Sequence, residues 1–266
     1  MVTHSGPNGT IELTIENNVA ELRGTNSEKR NCISFDMVED FHHHVKALES
    51  RKDEIYSIVM THAGDVYCAG YDLDVISSDD EDQKQQLWDT YDACESWIIH
   101  SDIPVIVGAD GPAVAKGAGH LLLGDIIVAG PDLRVWWSEI NVGLFPHTMA
   151  ASFIERYGIR RAAELTFLGN EAKLTPEECR EMGLINRIVD SDDVDETVRH
   201  MGATLAEYER KYGYMLDAYE IFNLVKREKR ISSNAGTALG SWLGTYDEWF
   251  GDSDPRTGGK DDPRGT

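Results

Sequence analysis

Two short runs near the start of the chain, Ile11-Glu12-Leu13-Thr14-Ile15 and Val19-Ala20-Glu21-Leu22, alternate apolar and polar positions on either side of Asn17-Asn18. That period of two around an asparagine pair predicts an opening β-hairpin. The period then changes. Ser34 stands before Phe35-Asp36-Met37-Val38-Glu39 as an N-cap with an acidic first turn, and Met37, Phe41, Val45 and Leu48 recur at helical spacing to about Glu49. A second amphipathic stretch runs from Glu81 to Ile99 with Leu87, Tyr91, Cys94 and Ile98 on one stripe. Short β-branched runs at 54–61, 104–109, 125–129 and 134–137 predict strands between the helices. Thr175-Pro176-Glu177-Glu178 is a cap with proline at the first helical position, and Gly183 closes that helix. From Asp193 the pattern is helical through about Phe250, and residues 251–266 are rich in Gly, Asp and Pro, as disordered tails are. The chain therefore divides into an α/β core over 1–192, a helical region over 193–250 and an acidic tail over 251–266.

Composition narrows the partners. Among 266 residues, 47 are acidic and 25 basic, a formal net charge of −22. Such a field repels nucleic acid and anionic membranes, which need cationic surfaces. Acids recur in nearly every polar stretch and arginine outnumbers lysine, a balance that suits folding in concentrated salt, where self-repulsion is screened. Cys32, Cys68, Cys94 and Cys179 are scattered without a C-x-x-C pair or zinc spacing, which predicts free thiols in a reducing compartment. Met1 to Thr10 has no apolar core of a secretory signal, and no apolar run is long enough to span a bilayer, so a cytoplasmic location is expected. His42-His43-His44 carries no metal expectation, because consecutive helical side chains fan around the axis and do not converge on one ion.

The candidate chemistry lies in two glycine-bearing segments. His62 to Leu73 follows Ile58-Val59-Met60, and Asp110 to Gly119 follows Pro104-Val105-Ile106-Val107; each leads into a helical pattern. A strand passing through a glycine turn into a helix leaves backbone N–H groups without partners at the helix start. Two such starts aimed at one carbonyl oxygen form an oxyanion hole, a strong stabiliser of developing negative charge.

Three segments carry a family resemblance. Tyr67-Cys68-Ala69-Gly70-Tyr71-Asp72-Leu73 resembles the F-x-A-G-x-D-[IL] segment of the crotonase (enoyl-CoA hydratase/isomerase) superfamily. Gly111 to Gly117, running on to Gly124-Asp125-Ile126, is similar to that family's G-x-A-x-G-G-G…C-D-I segment, and Trp137-Ser138-Glu139 to Pro146 to its F-x-x-P-E-x-x-x-G-x-x-P segment. The resemblance covers roughly residues 10–190. It implies a crotonase-like (ClpP/crotonase) β-β-α spiral with a helical C-terminal region, assembled as a homotrimer or dimer of trimers, with a coenzyme A thioester as substrate and no permanently bound cofactor or metal. It assigns the thioester oxygen to the backbone N–H groups of Tyr71 and Lys116, and the coenzyme to Ala69, Gly70, Tyr71, Asp72, Leu73 and Asp74, with Lys116 and Gly117 beside the substrate. Lys29 and Arg30 are phosphate partners by charge, and Lys226-Arg227-Glu228-Lys229-Arg230 is the densest basic run.

Hydratases of the family carry two glutamates, at the positions of Gly119 and Glu139; here only Glu139 is present. A single carboxylate suffices to move a proton between the α and γ carbons of a dienolate, so the pattern resembles Δ3-Δ2-enoyl-CoA isomerases. Hydration, decarboxylation, C–C bond formation and non-catalytic acyl-CoA binding are the alternatives. His147 is a second candidate for proton transfer or for a polar substrate contact, His120 reads as a core or surface residue, and Asp72 as a helix cap. Lys116 stands where the family has glycine: its N–H is kept, and its cation is a candidate for the thioester or the coenzyme phosphates, but a backbone conformation requiring positive φ there would be strained by the side chain. Trp88, Trp136, Trp137 and Phe145 suggest a bulky apolar acyl lining.

Overall fold

The computed structural model describes residues 2–146, 150, 153, 154 and 156–223. One sheet of seven strands organises the chain, in the order β1-β2-β3-β4-β5-β7-β9. Its antiparallel edge is β1 (Val2–Ser5), β2 (Ile11–Glu16) and β3 (Val19–Gly24). Asn17 and Asn18 join β2 to β3 with φ of 51° and 67°, the left-handed pair that a two-residue hairpin turn requires. β1 lies in the polar opening segment, where no strand is expected from the sequence. From β3 the sheet is parallel through β4 (Ser57–His62), β5 (Val105–Ala109), β7 (Ile126–Ala129) and β9 (Arg187–Ile188).

Both faces of the parallel strands are covered, which is why β5 is buried along its whole length and reads as an unbroken apolar run. On one face lie α1 (Phe35–Ser50) and α3 (Glu81–His100). Their stripes, Met37, Phe41, Val45 and Leu48 against Leu87, Tyr91, Cys94 and Ile98, enter the main core with Leu13, Ile15 and Leu22. On the other face α7 (Val194–Tyr212) packs Val198 against Val59, Ile106 and Val128. Gly202 permits that approach: a Cβ there would stand 2.6 Å from Val59. Arg199 fixes the same helix by donating two hydrogen bonds to Glu21, at 2.9 and 2.7 Å. α7 thus covers the main sheet, although the sequence places it in the C-terminal region. It ends at Gly213, and 215–223 form a further helix. The rest of the expected helical region, its basic run and the tail over 251–266 lie outside the described residues.

A second, two-stranded sheet pairs β6 (Pro112–Val114) with β8 (Arg134–Trp136). The chain leaves β5 at Gly111, where a Cβ would fall 2.0 Å from the Asp65 carbonyl oxygen, and turns at once into β6. Two strands in different sheets followed by a helix is the β-β-α repeat that the resemblance implies, and the fold is the expected α/β spiral. Further along, α5 (Ile159–Leu168) precedes α6 (Pro176–Glu181), whose Thr175–Glu178 capping box and proline at the first turn match the sequence reading. The four cysteines are buried and free. No described helix is long and apolar enough to cross a membrane, and among the described residues no cluster of His, Cys, Asp and Glu is arranged to hold a metal.

Candidate active site

The two glycine turns meet. Cys68 N–H donates to Pro112 O at 3.2 Å and Val114 N–H to Cys68 O at 2.9 Å, so the strand-like starts of both segments run side by side. A Cβ on Gly70, whose φ is +84°, would stand 3.0 Å from Val114 O and 3.6 Å from Lys116 N. One on Gly117 would fall 2.4 Å from Cys68 O. Glycine at 70 and 117 is therefore a packing requirement: backbone meets backbone there.

Beyond the contact, each segment enters a helix, α2 (Leu73–Ile76) after Tyr71 and α4 (Lys116–His120) after Ala115. Neither the Tyr71 N–H nor the Lys116 N–H donates to an acceptor among the described residues. α4 has no side-chain cap. On the other side of Tyr71, Ile33 N–H donates to Gly70 O at 2.8 Å and Asp72 N–H to Ile33 O at 3.0 Å, which locks the peptide planes around the uncommitted amide. Asp72 accepts from Asp74 N–H at 3.1 Å and is the expected helix cap.

The backbone strain expected at Lys116 falls one residue earlier. Ala115 has φ 52° and ψ −127°, a conformation that L residues rarely adopt, whereas Lys116 is already helical. The Lys116 side chain also has a partner that the sequence does not announce. Its ammonium lies 2.7 Å from Glu95 and 3.5 Å from Asp92, both on α3, with the Tyr91 ring centroid 5.2 Å away. Lys116 and Glu95 side chains are each 13% exposed. Burial works against the cation, but the two carboxylates outweigh it and hold the Lys116 pKa above its ordinary value. The ammonium is thus tied to α3, away from the phosphate role considered for it.

Glu139 lies just past β8, near enough to the Lys116 charge for that charge to act on its carboxyl. Ala115 N–H donates to Trp136 O at 3.0 Å, so the strand end three residues before Glu139 is hydrogen-bonded directly beside the Lys116 amide. Glu139 begins a short 3-10 turn ending at Gly143, and Leu144 N–H donates back to its carbonyl at 2.9 Å. Its Oε2 is buried and has no hydrogen-bond partner among the described residues. Burial raises the carboxyl pKa to about 7, against opposing pulls from its own backbone amide and from the Lys116 charge. A lone carboxyl poised near neutrality fits proton transfer.

Other predicted residues fall unevenly around this centre. Ala69 N–H donates to Arg30 O at 3.1 Å, which joins the coenzyme loop to the segment before α1. Leu73 is 78% exposed at the rim, and Lys29 lies 3.5 Å from Asp72 with its own ammonium open to solvent. Gly119 is partly accessible while His120 next to it is buried, its ring against Phe41, Tyr67 and Tyr91. His120 is a core residue. Trp137, expected to line the acyl pocket, is 1% exposed and packs edge-on against Phe153 in the core. Trp136 lies nearer the surface, donating to Asn170 at 3.0 Å beneath the Lys173 ammonium. His147 lies outside the described residues. Glu95 is the site residue that sequence reasoning missed.

Comparison with known proteins shows the family and the fold. A family model described as enoyl-CoA hydratase/isomerase matches residues 14–223. The 1,2-epoxyphenylacetyl-CoA isomerase of Escherichia coli strain K12 is 28% identical over 197 residues, 72% of this chain and 74% of the relative. A 4-chlorobenzoyl coenzyme A dehalogenase of Arthrobacter is 26% identical over 211 residues, 77% and 75% of the two chains. Among solved structures, an enoyl-CoA hydratase of Mycobacterium smegmatis superposes with a TM-score of 0.74 at 22% identity, covering 86% of this chain and 88% of the other.

Proposed function

The chain belongs to the enoyl-CoA hydratase/isomerase family, whose members act on coenzyme A thioesters, and from that premise we propose that it is a Δ3-Δ2-enoyl-CoA isomerase with Glu139 as the proton carrier. The thioester oxygen is held between the Tyr71 and Lys116 amides. Glu139, ionised, removes a proton from the α carbon. The C–H electron pair moves into the carbonyl, giving a dienolate whose oxygen carries the negative charge opposite the two amides. One preorganised donor of this kind lowers a barrier by about 3 kcal/mol. Glu139, now protonated, delivers its proton to the γ carbon; the double bond settles between the α and β carbons and the carbonyl re-forms. Atoms balance with one carboxyl group and no added water.

The observation that supports this reading is the buried Glu139 carboxyl with a pKa near 7, on the turn after the strand end that accepts from Ala115 N–H, together with two uncommitted amides and glycine at 119. A second carboxylate to orient water is missing at that position, which favours isomerisation over hydration. The test offers 3-enoyl-CoA and crotonyl-CoA to the protein in molar salt. Wild type converts the first and barely hydrates the second, and Glu139→Gln loses isomerisation while still binding coenzyme A. Efficient hydration of crotonyl-CoA by wild type, or retained isomerisation in Glu139→Gln, defeats the assignment.

A further inference from the structure

A pocket of about 50 Å³, lined in part by Tyr67, Cys68 and His120 of the two amide-bearing segments, opens at the carboxyl ends of β3 and β4, beside Gly24, Asn26 and His62. Its walls are largely apolar, with Leu22, Met37, Phe41 and Met60 among them. Three lining side chains more than nine-tenths buried nonetheless bring a polar atom without a hydrogen-bond partner among the described residues: Asn31 Oδ1, the Tyr67 hydroxyl and His120 Nε2. His62 Nδ1 is a fourth by hydrogen-bond geometry, with the Ala63 backbone also acting on that ring.

Their orientations are fixed by neighbours. The Asn31 amide nitrogen donates to Ala63 O at 2.9 Å and Val66 O at 2.8 Å, which leaves Oδ1 as an acceptor. His62 Nε2 accepts from Asp110 N–H at 3.1 Å, so Nδ1 carries the ring proton and is a donor. The Tyr67 ring stands edge-on to His62 and tilted on His120, with centroids 5.4 and 6.1 Å away. Both histidines are neutral. Burial, with the Lys116 charge adding to it, depresses the His120 pKa to about 4, and burial lowers that of His62. Neutral donors and acceptors facing one small space do not suit an ion. They suit a guest that both donates and accepts.

We propose that this pocket binds a cluster of three to five water molecules, hydrogen-bonded to Asn31, His62, Tyr67 and His120. The size follows from about 10–15 Å³ for each water, and buried waters of this kind make about three hydrogen bonds to polar groups that otherwise lack partners. The four residues lie on separate elements: the loop before α1, the end of β4, the turn leading to Gly70, and α4. The cluster therefore links the two segments that bear the Tyr71 and Lys116 amides.

Tyr67→Phe separates a wet pocket from a dry one by the sign of its effect. In a dry pocket the substitution removes a hydroxyl that has no partner, and the melting temperature rises. In the hydrated pocket it removes a partner of the cluster, and the melting temperature falls. Oxygen-17 magnetic relaxation dispersion, comparing wild type with Tyr67→Phe/His120→Leu, is expected to show three to five fewer long-lived waters in the variant. An unchanged count, a rise in melting temperature for Tyr67→Phe, or crystallographic density for an organic molecule in the pocket overturns the proposal. Where the double variant does not fold, the single variant still gives the sign. None of these readouts depends on the isomerase assignment, so either can fail alone.

Discussion

Replacing Glu139 by glutamine should make the protein more stable at alkaline pH and leave it unchanged in acid. The carboxyl titrates near 7 in the folded chain, against a reference value of 4.5. Below about pH 4.5 it is protonated whether the chain is folded or not and contributes nothing to pH dependence. Between 4.5 and 7 the unfolded chain gives up its proton first, so stability falls as pH rises; above 7 the full penalty applies. A gap of that size corresponds to about 3 kcal/mol at 1.36 kcal/mol per unit, and partial solvent access to Glu139 reduces it to about 2 kcal/mol. Glutamine resembles the protonated acid in shape and carries no charge to desolvate. Chemical unfolding in urea at constant high salt, with wild type and Glu139→Gln compared at pH 4.5 and pH 8.5, measures the difference. The curves should coincide at the lower pH and separate by about 2 kcal/mol at the higher, with the glutamine variant the more stable. Parallel pH profiles, or a glutamine variant less stable at pH 8.5, would refute the picture of a carboxyl whose pKa is raised by burial.

Two other substitutions probe the framework around that acid. Ala115→Gly relieves a backbone strain of about 1–3 kcal/mol, less about 0.4–1 kcal/mol for glycine's extra freedom in the unfolded chain; scanning calorimetry should show a rise in melting temperature of roughly 2–4 °C. Glu95→Gln leaves the buried Lys116 ammonium with Asp92 alone at 3.5 Å, and equilibrium unfolding should record a loss toward the low end of ~3–5 kcal/mol. Most of that loss should return when Lys116→Met is added, because the cation no longer needs a partner.

What the sequence made legible was decided by backbone. Gly70 and Gly117 sit where a side chain would meet the facing main chain at 3.0 and 2.4 Å, and such positions leave a residue pattern that spacing reveals. The hairpin asparagines, the Ser34 cap and the Thr175 capping box are equally local signals. Three features were not legible, for separate reasons. The positive φ was expected at Lys116 because a side chain there departs from the family's glycine, but strain belongs to ψ and φ together, and an alanine at 115 gives no hint of it. Glu95 lies 21 residues from Lys116, one helical turn beyond Tyr91, and only the packing of α3 over α4 makes them partners. Trp137 alternates inward on the approach to Glu139, so its ring entered the core instead of the cleft. Charge and apolar content alone report neither register nor facing.

The central claim is that two main-chain amides and one carboxyl act together on the α carbon of a thioester. A saturated acyl-CoA isolates that step, since it has no double bond to move or to hydrate. Incubated with the protein in deuterated buffer and read by mass spectrometry, butyryl-CoA should take up deuterium at the α carbon with wild type and not with Glu139→Gln. Absence of exchange with wild type, or equal exchange with the glutamine variant, would contradict the account.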